Sequence, residues 1–356
     1  MVKNIAVLPG DGIGPEIMNA AVVVLKSIEK VFGHDFVLDE GLIGAISIDQ
    51  RGVALPEDTI DLCKAADAVL LGAIGHPKFD NDPDAPVRPE QGLLQIRKTL
   101  ELHCNIRPVK IFNELKHLSP LKEERLNNVD FVIYRELTGG IYFGEKSIDS
   151  GFSSDLCIYH NYEIDRISHL AFEEARRRSG KLCLVDKANV LESSRLWRKR
   201  VGLIALKYSD VELKFLFIDN AAMQMILNPS QFDVILTSNM FGDILSDEAS
   251  VLNGSLGLLP SASKGTKYRL YEPVHGSYPQ ATGKNIANPL AMILSVEMML
   301  RDWEMTEEAD SIIQSVSECI TENLLTEDLN KKNPVTCSEM GELIASKIAK
   351  FKKELI

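Results

Sequence analysis

"LPGDGIGPE", residues 8–16, joins the apolar run "NIAVLP" (4–9) to a stretch of helical spacing, "EIMNAAVVVLKSIEKVF" (16–32). Gly10, Gly12 and Gly14 fall on alternate residues, a pattern close to a nucleotide-phosphate loop. The dinucleotide fingerprint needs G-x-G-x-x-G opening a helix, with an acid for the ribose about 20 residues further on. Here the third glycine comes one residue early, Pro15 stands where the helix opens, and Asp35 and Asp39 follow a polar break. Taken alone, the stretch reads as a tight strand-to-helix turn, with Pro15 suited to the first helical turn and Gly33 to the stop. It supports an α/β order without supporting a Rossmann domain.

The alternation continues along the chain. "AADAVLLGAIG" (65–75), "KLCLVDKANV" (181–190) and "FDVILTS" (232–238) read as buried strands, and "EIDRISHLAFEEARRR" (163–178) and "NPLAMILSVEMMLRDW" (288–303) as helices. "HPKFDNDPDAPVRPEQG" (76–92), with its prolines, reads as a long loop of the kind that carries function. From about residue 129, "VDFVIYRELTGGIYFGEKS" and "DLCIYHNYE" predict a β-rich insertion around paired glycines. The tail from 304 reads as helical, charged and without chemistry of its own.

A chain of 356 residues favours two domains at roughly 100–200 residues each. The formal net charge of −12 argues against nucleic acid or an anionic membrane as partner, because counterion release needs a basic face. An anionic substrate must then meet a local cluster of arginines. The six cysteines are scattered without a C-x-x-C pair, which predicts reduced thiols and a cytoplasmic protein. No run approaches the ~18 apolar residues of a membrane span.

The chemical signal is strongest in "SNMFGDILSDEAS" (238–250). Asp243 and Asp247, four apart on a predicted helix, share one face and offer hard oxygen ligands to Mg²⁺ or Mn²⁺. The same pair would serve equally to cap and decorate a helix. Arg97, Arg107 and Arg135 stand beside apolar runs, an arrangement suited to fork-type recognition of carboxylates. Lys187 ends a predicted buried strand, where desolvation or a neighbouring cation would bring its pKa towards that of a usable base; a lysine snorkelling from a strand end fits equally.

Nine motifs, "LPGDGIGPE", "GLLQIRK", "IRPVK", "RELTGGIYFGE", "VDKANVLE", "DNAAMQMI", "NMFGDILSDEAS", "GSLGLLPSAS" and "EPVHGSYPQATGKNIANP", together resemble the β-decarboxylating dehydrogenases of the isocitrate/isopropylmalate family. They occur in order from the first strand to about residue 303. The resemblance implies a two-domain, non-Rossmann α/β fold with the active site in the interdomain cleft. One domain would comprise residues 1–102 plus 255–356, on the cofactor side. The other, 103–254, would carry a β arm at about 139–160 and the dimer interface.

By the same resemblance, Arg97, Arg107 and Arg135 hold a 2-hydroxy acid that bears a second carboxylate on C3. Asp243 and Asp247, with Asp219 from a partner subunit, bind Mg²⁺ or Mn²⁺, and Asp219 also adjoins substrate. Lys187, also from the partner, is the implied base, and Tyr142 the implied acid that protonates the enol. Leu93 and Leu94 match an apolar wall, with Val190 facing them from the partner, and favour an isopropyl group over a further carboxylate. His275 to Asn288, with Gly276, Ser277, Gln280 and Gly283, would wrap the adenosine half of NAD; His76, Glu90 and Asn189 complete the implied cofactor set. Gln280 departs from the family's aspartate, so discrimination against NADP should be weaker than usual.

The implied reaction is oxidative decarboxylation of (2R,3S)-3-isopropylmalate to 4-methyl-2-oxopentanoate with reduction of NAD, in leucine biosynthesis. Homoisocitrate, isocitrate or tartrate/malate are alternative substrates, and a silent regulatory subunit of the same fold is disfavoured by retention of Lys187, Tyr142 and the three aspartates. The implied assembly is a homodimer whose active sites are shared.

Overall fold

The computed structural model describes residues 2–82 and 85–354. Its strands are β1 (Val2–Gly10), β2 (Asp35–Glu40), β3 (Ala68–Ala73), β4 (Cys104–Lys110), β5 (Asp130–Glu136), β6 (Lys146–Ile148), β7 (Ser153–Asp155), β8 (Lys181–Asp186), β9 (Glu212–Phe217), β10 (Val234–Thr237), β11 (Pro260–Lys264) and β12 (Arg269–Pro273). The chain divides into two units, residues 1–101 with 255–356, and residues 102–254.

In the first unit the strands run in the order β2-β1-β3-β12-β11. β1 pairs in parallel with β2 and β3, β3 with β12, and only β11 is antiparallel. Every residue of β3 is buried, as a strand covered by helices on both faces should be. The helix Gly14–Phe32 has Pro15 at its start and Gly33, at φ 77°, as its left-handed stop. It packs on the C-terminal helix Cys337–Glu354, where a Cβ on Gly341 would lie 2.9 Å from Cα of Ala20. The two chain ends are joined into one core by that contact.

The turn "LPGDGIGPE" is tight because backbone meets backbone at each glycine. A Cβ on Gly10 would come 2.1 Å from the Ala73 carbonyl oxygen, one on Gly12 2.1 Å from that of Ser277, and one on Gly14 2.1 Å from that of Pro9. All three glycines are thus consumed by backbone-to-backbone contact. Asp11 at the apex accepts hydrogen bonds from the backbone N–H groups of Ala45, Ile46 and Gly75, binding three loops to the end of β1.

In the second unit the order is β4-β5-β10-β8-β9, with β5, β10, β8 and β9 parallel and β4 antiparallel to β5. Arg135 on β5 is in register with Thr237 on β10, and Thr237 with Val185 on β8. The carboxyl ends of three parallel strands are therefore level, and the residues just beyond them lie side by side, the usual place for a site in such sheets. The predicted β-rich insertion is smaller than its composition suggests. Only β6 and β7 pair as an antiparallel hairpin, and "LCIYH" is not strand: loop hydrogen bonds, Leu156 N–H to Glu145 O and Gly140 N–H to Ile158 O, hold it instead. The hairpin side chains are all exposed, Ile148 at 88% and Phe152 at 63%.

The proline-rich loop at 76–92 holds one helical turn, Pro77–Asp80, and yields to the helix Pro89–Thr99; Pro83 and Asp84 lie outside the described residues. Among the described residues no helix is long and apolar enough to cross a membrane.

Candidate active site

The helix Asn239–Ser250 follows β10 directly and carries Asp243 and Asp247 one turn apart. Arg135, at the end of β5, is 2% exposed, and its stem lies over Gly242, where a Cβ would come 2.6 Å from Cγ. Glycine at 242 therefore lets an arginine pass close to the helix. Arg135 Nη1 donates to Asp243 Oδ1 at 2.5 Å. Arg107, two residues along β4 from Asn105, donates to the Asn105 and Ser246 side chains, and its Nη1 lies 3.7 Å from both Asp243 and Asp247.

Tyr142 enters from the turn after β5, and its hydroxyl donates to Asp243 Oδ2 at 2.9 Å. Burial, then the charge of Asp243, push its pKa above the usual tyrosine value, so it keeps its proton at neutral pH. Burial also raises Asp247, with Arg107 opposing the shift and Asp243 adding to it. Five predicted residues of this unit, Arg107, Arg135, Tyr142, Asp243 and Asp247, thus form one cluster.

Lys187 and Asp219 form a second pair. Lys187 follows β8, and its Nζ lies 2.5 Å from Asp219 Oδ1 at the start of the helix Ile218–Leu227. Of the two surroundings that would make it a base, desolvation or a neighbouring cation, this chain supplies neither in full: its neighbour is a carboxylate, and its side chain remains 26% exposed. The bond from Lys187 lowers the pKa of Asp219. Among the described residues no group of three or more His, Cys, Asp or Glu is arranged to hold a metal, so Asp219 does not join Asp243 and Asp247 within one chain. Asn189 and Val190 lie exposed in the turn after Lys187.

In the first unit Arg97 is buried and donates from Nη2 to Glu272 at 3.0 Å, while its Nε has no hydrogen-bond partner. Leu93 and Leu94 are half-buried on the same helix, Pro89–Thr99, and Glu90 at its start is exposed, as is His76. In the same unit a cavity of about 680 Å³ opens around His275, Gly276 and Asn288, walled by Ile13, Leu256, Tyr278 and Ile286. His275 Nδ1 bonds the Gly276 carbonyl and so carries the proton; Nε2 is then an acceptor, buried without a partner. Burial lowers the pKa of His275 and keeps the ring neutral.

Asn288 is committed at both ends, accepting from Leu290 N–H and donating to Asp328, so it builds the wall. Ser277 is buried and its carbonyl receives the N–H of Ile13. Gln280 is exposed on the short turn Pro279–Ala281, and Gly283 N–H donates to Glu16.

The model of the isocitrate/isopropylmalate dehydrogenase family matches residues 4–344. The chain belongs to that family. It is 54% identical over 354 residues to the 3-isopropylmalate dehydrogenase of Carboxydothermus hydrogenoformans, covering 97% of this chain and 94% of the relative. It is 50% identical over 347 residues to that of Bacillus subtilis, covering 95% of each. Among solved structures, an isocitrate dehydrogenase from Methylococcus capsulatus superimposes with a TM-score of 0.87 at 33% identity, covering 98% of this chain and 99% of that one.

Glu327, Asp328 and Lys331 also line the cavity around His275, so the stretch from 304, read as closing the first domain, forms part of its wall. Asp328 also receives hydrogen bonds from Ser255 and Asn288, so the tail holds the cavity wall in place. No local pattern marks these three residues; Ile13, by contrast, sits inside the opening motif.

The family's metal and cofactor can be tested against these side chains. Two carboxylates one helical turn apart are suitable hard donors, and the Asp247 side chain is 67% exposed. The orphaned acceptor on His275 and the mixed apolar and acidic walls suit an adenosine. Both groups fit the residues present.

Proposed function

We propose that the protein catalyses oxidative decarboxylation of (2R,3S)-3-isopropylmalate to 4-methyl-2-oxopentanoate, with NAD as oxidant and Mg²⁺ or Mn²⁺ bound. The observation that carries this reading is the cluster of Arg107, Arg135, Tyr142, Asp243 and Asp247. Two arginines and two aspartates cancel in formal charge. A dicarboxylate is therefore balanced there only when a divalent cation accompanies it.

Arg107 and Arg135 present buried guanidinium donors that turn from the aspartates to substrate carboxylate, and Arg97 is assigned the same task through its unpartnered Nε. When bound, NAD supplies a hydride acceptor, and the divalent cation supplies the charge that acidifies the substrate hydroxyl and stabilises the enolate left by CO₂. Lys187, freed from Asp219, takes the hydroxyl proton, and Tyr142, kept protonated by its surroundings, returns a proton to the enol carbon. Leu93 and Leu94, with Val190, are assigned to the branched alkyl group, which gains roughly 0.8 kcal/mol per buried CH₂.

His275 to Asn288, with His76, Glu90 and Asn189, are assigned to NAD. We further assign a homodimer with shared sites, supported by the exposed hairpin β6–β7 and by the separation of the Lys187–Asp219 pair from the aspartates it should serve. A cytoplasmic location and a place in leucine biosynthesis follow from the same reading.

The test is NADH production from a panel of 3-substituted malates in the presence of Mn²⁺. The expected result is the highest kcat/KM with 3-isopropylmalate; a higher value with isocitrate, homoisocitrate or tartrate would replace the substrate assignment.

A further inference from the structure

We propose that Asn239 is a positioning residue for the reaction: one buried amide holds both the Arg135 guanidinium and the turn that carries Tyr142. The inference rests on the roles given to Arg135 and Tyr142 above.

Asn239 is 1% exposed and begins the helix Asn239–Ser250. Its Oδ1 accepts from Arg135 Nε at 3.0 Å and from Nη2 at 2.8 Å, and its Nδ2 donates to the Gly139 carbonyl at 3.2 Å. The orientation of the amide is decided by its partners, since a guanidinium only donates and a carbonyl only accepts. Two donors on one oxygen fix the plane of the guanidinium, and that plane directs Nη1 to Asp243.

The other end of the amide acts on the turn. Gly139 and Gly140 lie against the Tyr159 ring, where a Cβ on Gly140 would come 2.3 Å from the hydroxyl, and Tyr142 follows two residues later. The Tyr159 hydroxyl in turn accepts the backbone N–H of Asn239 at 2.9 Å, one of the first-turn donors that a helix leaves unpaired. Glu136, fully buried, holds the start of the same turn through the N–H groups of Thr138 and Gly139. Asn239 is the point where the strand, the turn and the helix meet.

Asn239→Ala removes both functions, whereas Asn239→Asp keeps an acceptor for Arg135 and places an oxygen against the Gly139 carbonyl. With 3-isopropylmalate, NAD and Mn²⁺, the alanine variant should raise KM and lower kcat, each about 10-fold or more. The aspartate variant should keep KM near the wild-type value while kcat falls about 10-fold. Peptide-resolved hydrogen exchange, which needs no turnover, should speed up at residues 138–144 in both variants and stay unchanged at 131–134. Wild-type kinetics in both variants, or exchange rising evenly through β5 and the turn, would overturn the proposal. A wild-type enzyme inactive on 3-isopropylmalate would overturn the substrate reading alone, leaving the exchange pattern to decide the place of Asn239.

Discussion

The Tyr142 hydroxyl donates to Asp243 Oδ2 while Arg135 Nη1 holds Oδ1 of the same carboxylate. One aspartate thus orients both the proposed acid and a proposed substrate arginine. Tyr142→Phe removes the proton and leaves the ring, so kcat should fall about 10²–10⁴-fold with little change in Tm. Steady-state kinetics and thermal denaturation check this; undiminished kcat would remove Tyr142 from proton transfer.

Exchange of side chains between subunits makes a second prediction. Lys187→Ala and Arg135→Ala should each be inactive alone. Mixed in equal amounts after subunit exchange, they should recover about one quarter of wild-type activity, because half the dimers are heterodimers with one intact site of two. Exchange demonstrated by mass spectrometry without recovered activity would confine each site to one chain.

Gly12→Ala drives a Cβ into the Ser277 carbonyl at a backbone φ of 58°. The strain should cost about 1–3 kcal/mol in urea denaturation. Because Ser277 continues His275 and Gly276, NAD affinity measured by calorimetry should fall with it. Loss of stability with unaltered NAD affinity would separate this turn from the cofactor segment.

Asp233 accepts from the backbone and hydroxyl of Ser179 and from Arg178. Burial alone would raise its pKa, but these bonds outweigh burial and hold it below 3.8. A depressed folded pKa gives stability that is present above the unfolded value and lost as pH falls through the folded one. Asp233→Asn should therefore cost about 1.5–3 kcal/mol at neutral pH. The gap should close as pH drops below the carboxylate range, and a pH-independent difference in denaturation would contradict it.

Gln280, exposed on its turn, offers ribose an amide where a carboxylate would repel a 2′-phosphate. The wild type should favour NAD, and Gln280→Asp should widen the ratio of kcat/KM for NAD over NADP. Equal or better kcat/KM with NADP in the wild type would reverse the cofactor assignment.

Much of this was legible before any fold was known. Periodicity placed strands in the runs that became β1, β3, β8 and β10 and the helix between Pro15 and Gly33, because a two- or 3.6-residue repeat is a local property of the chain. Spacing likewise put Asp243 and Asp247 on one helical face. The β content of the insertion is smaller than its composition suggests, since 156–160 is held by loop hydrogen bonds that no local pattern encodes.

Other relationships exist only in three dimensions. The opening glycines resembled a phosphate loop, yet their partners are carbonyls at Pro9, Ala73 and Ser277, the last more than 260 residues away. Asp328 reaches the cavity from the stretch beyond 304, and Asn239 joins Arg135 to Gly139 across about a hundred positions. The sequence by itself determined which residue types were available and which faces they shared. Tertiary structure decided which donor met which acceptor, because the register of parallel strands brings together chain segments whose separation in sequence carries no information about distance in space.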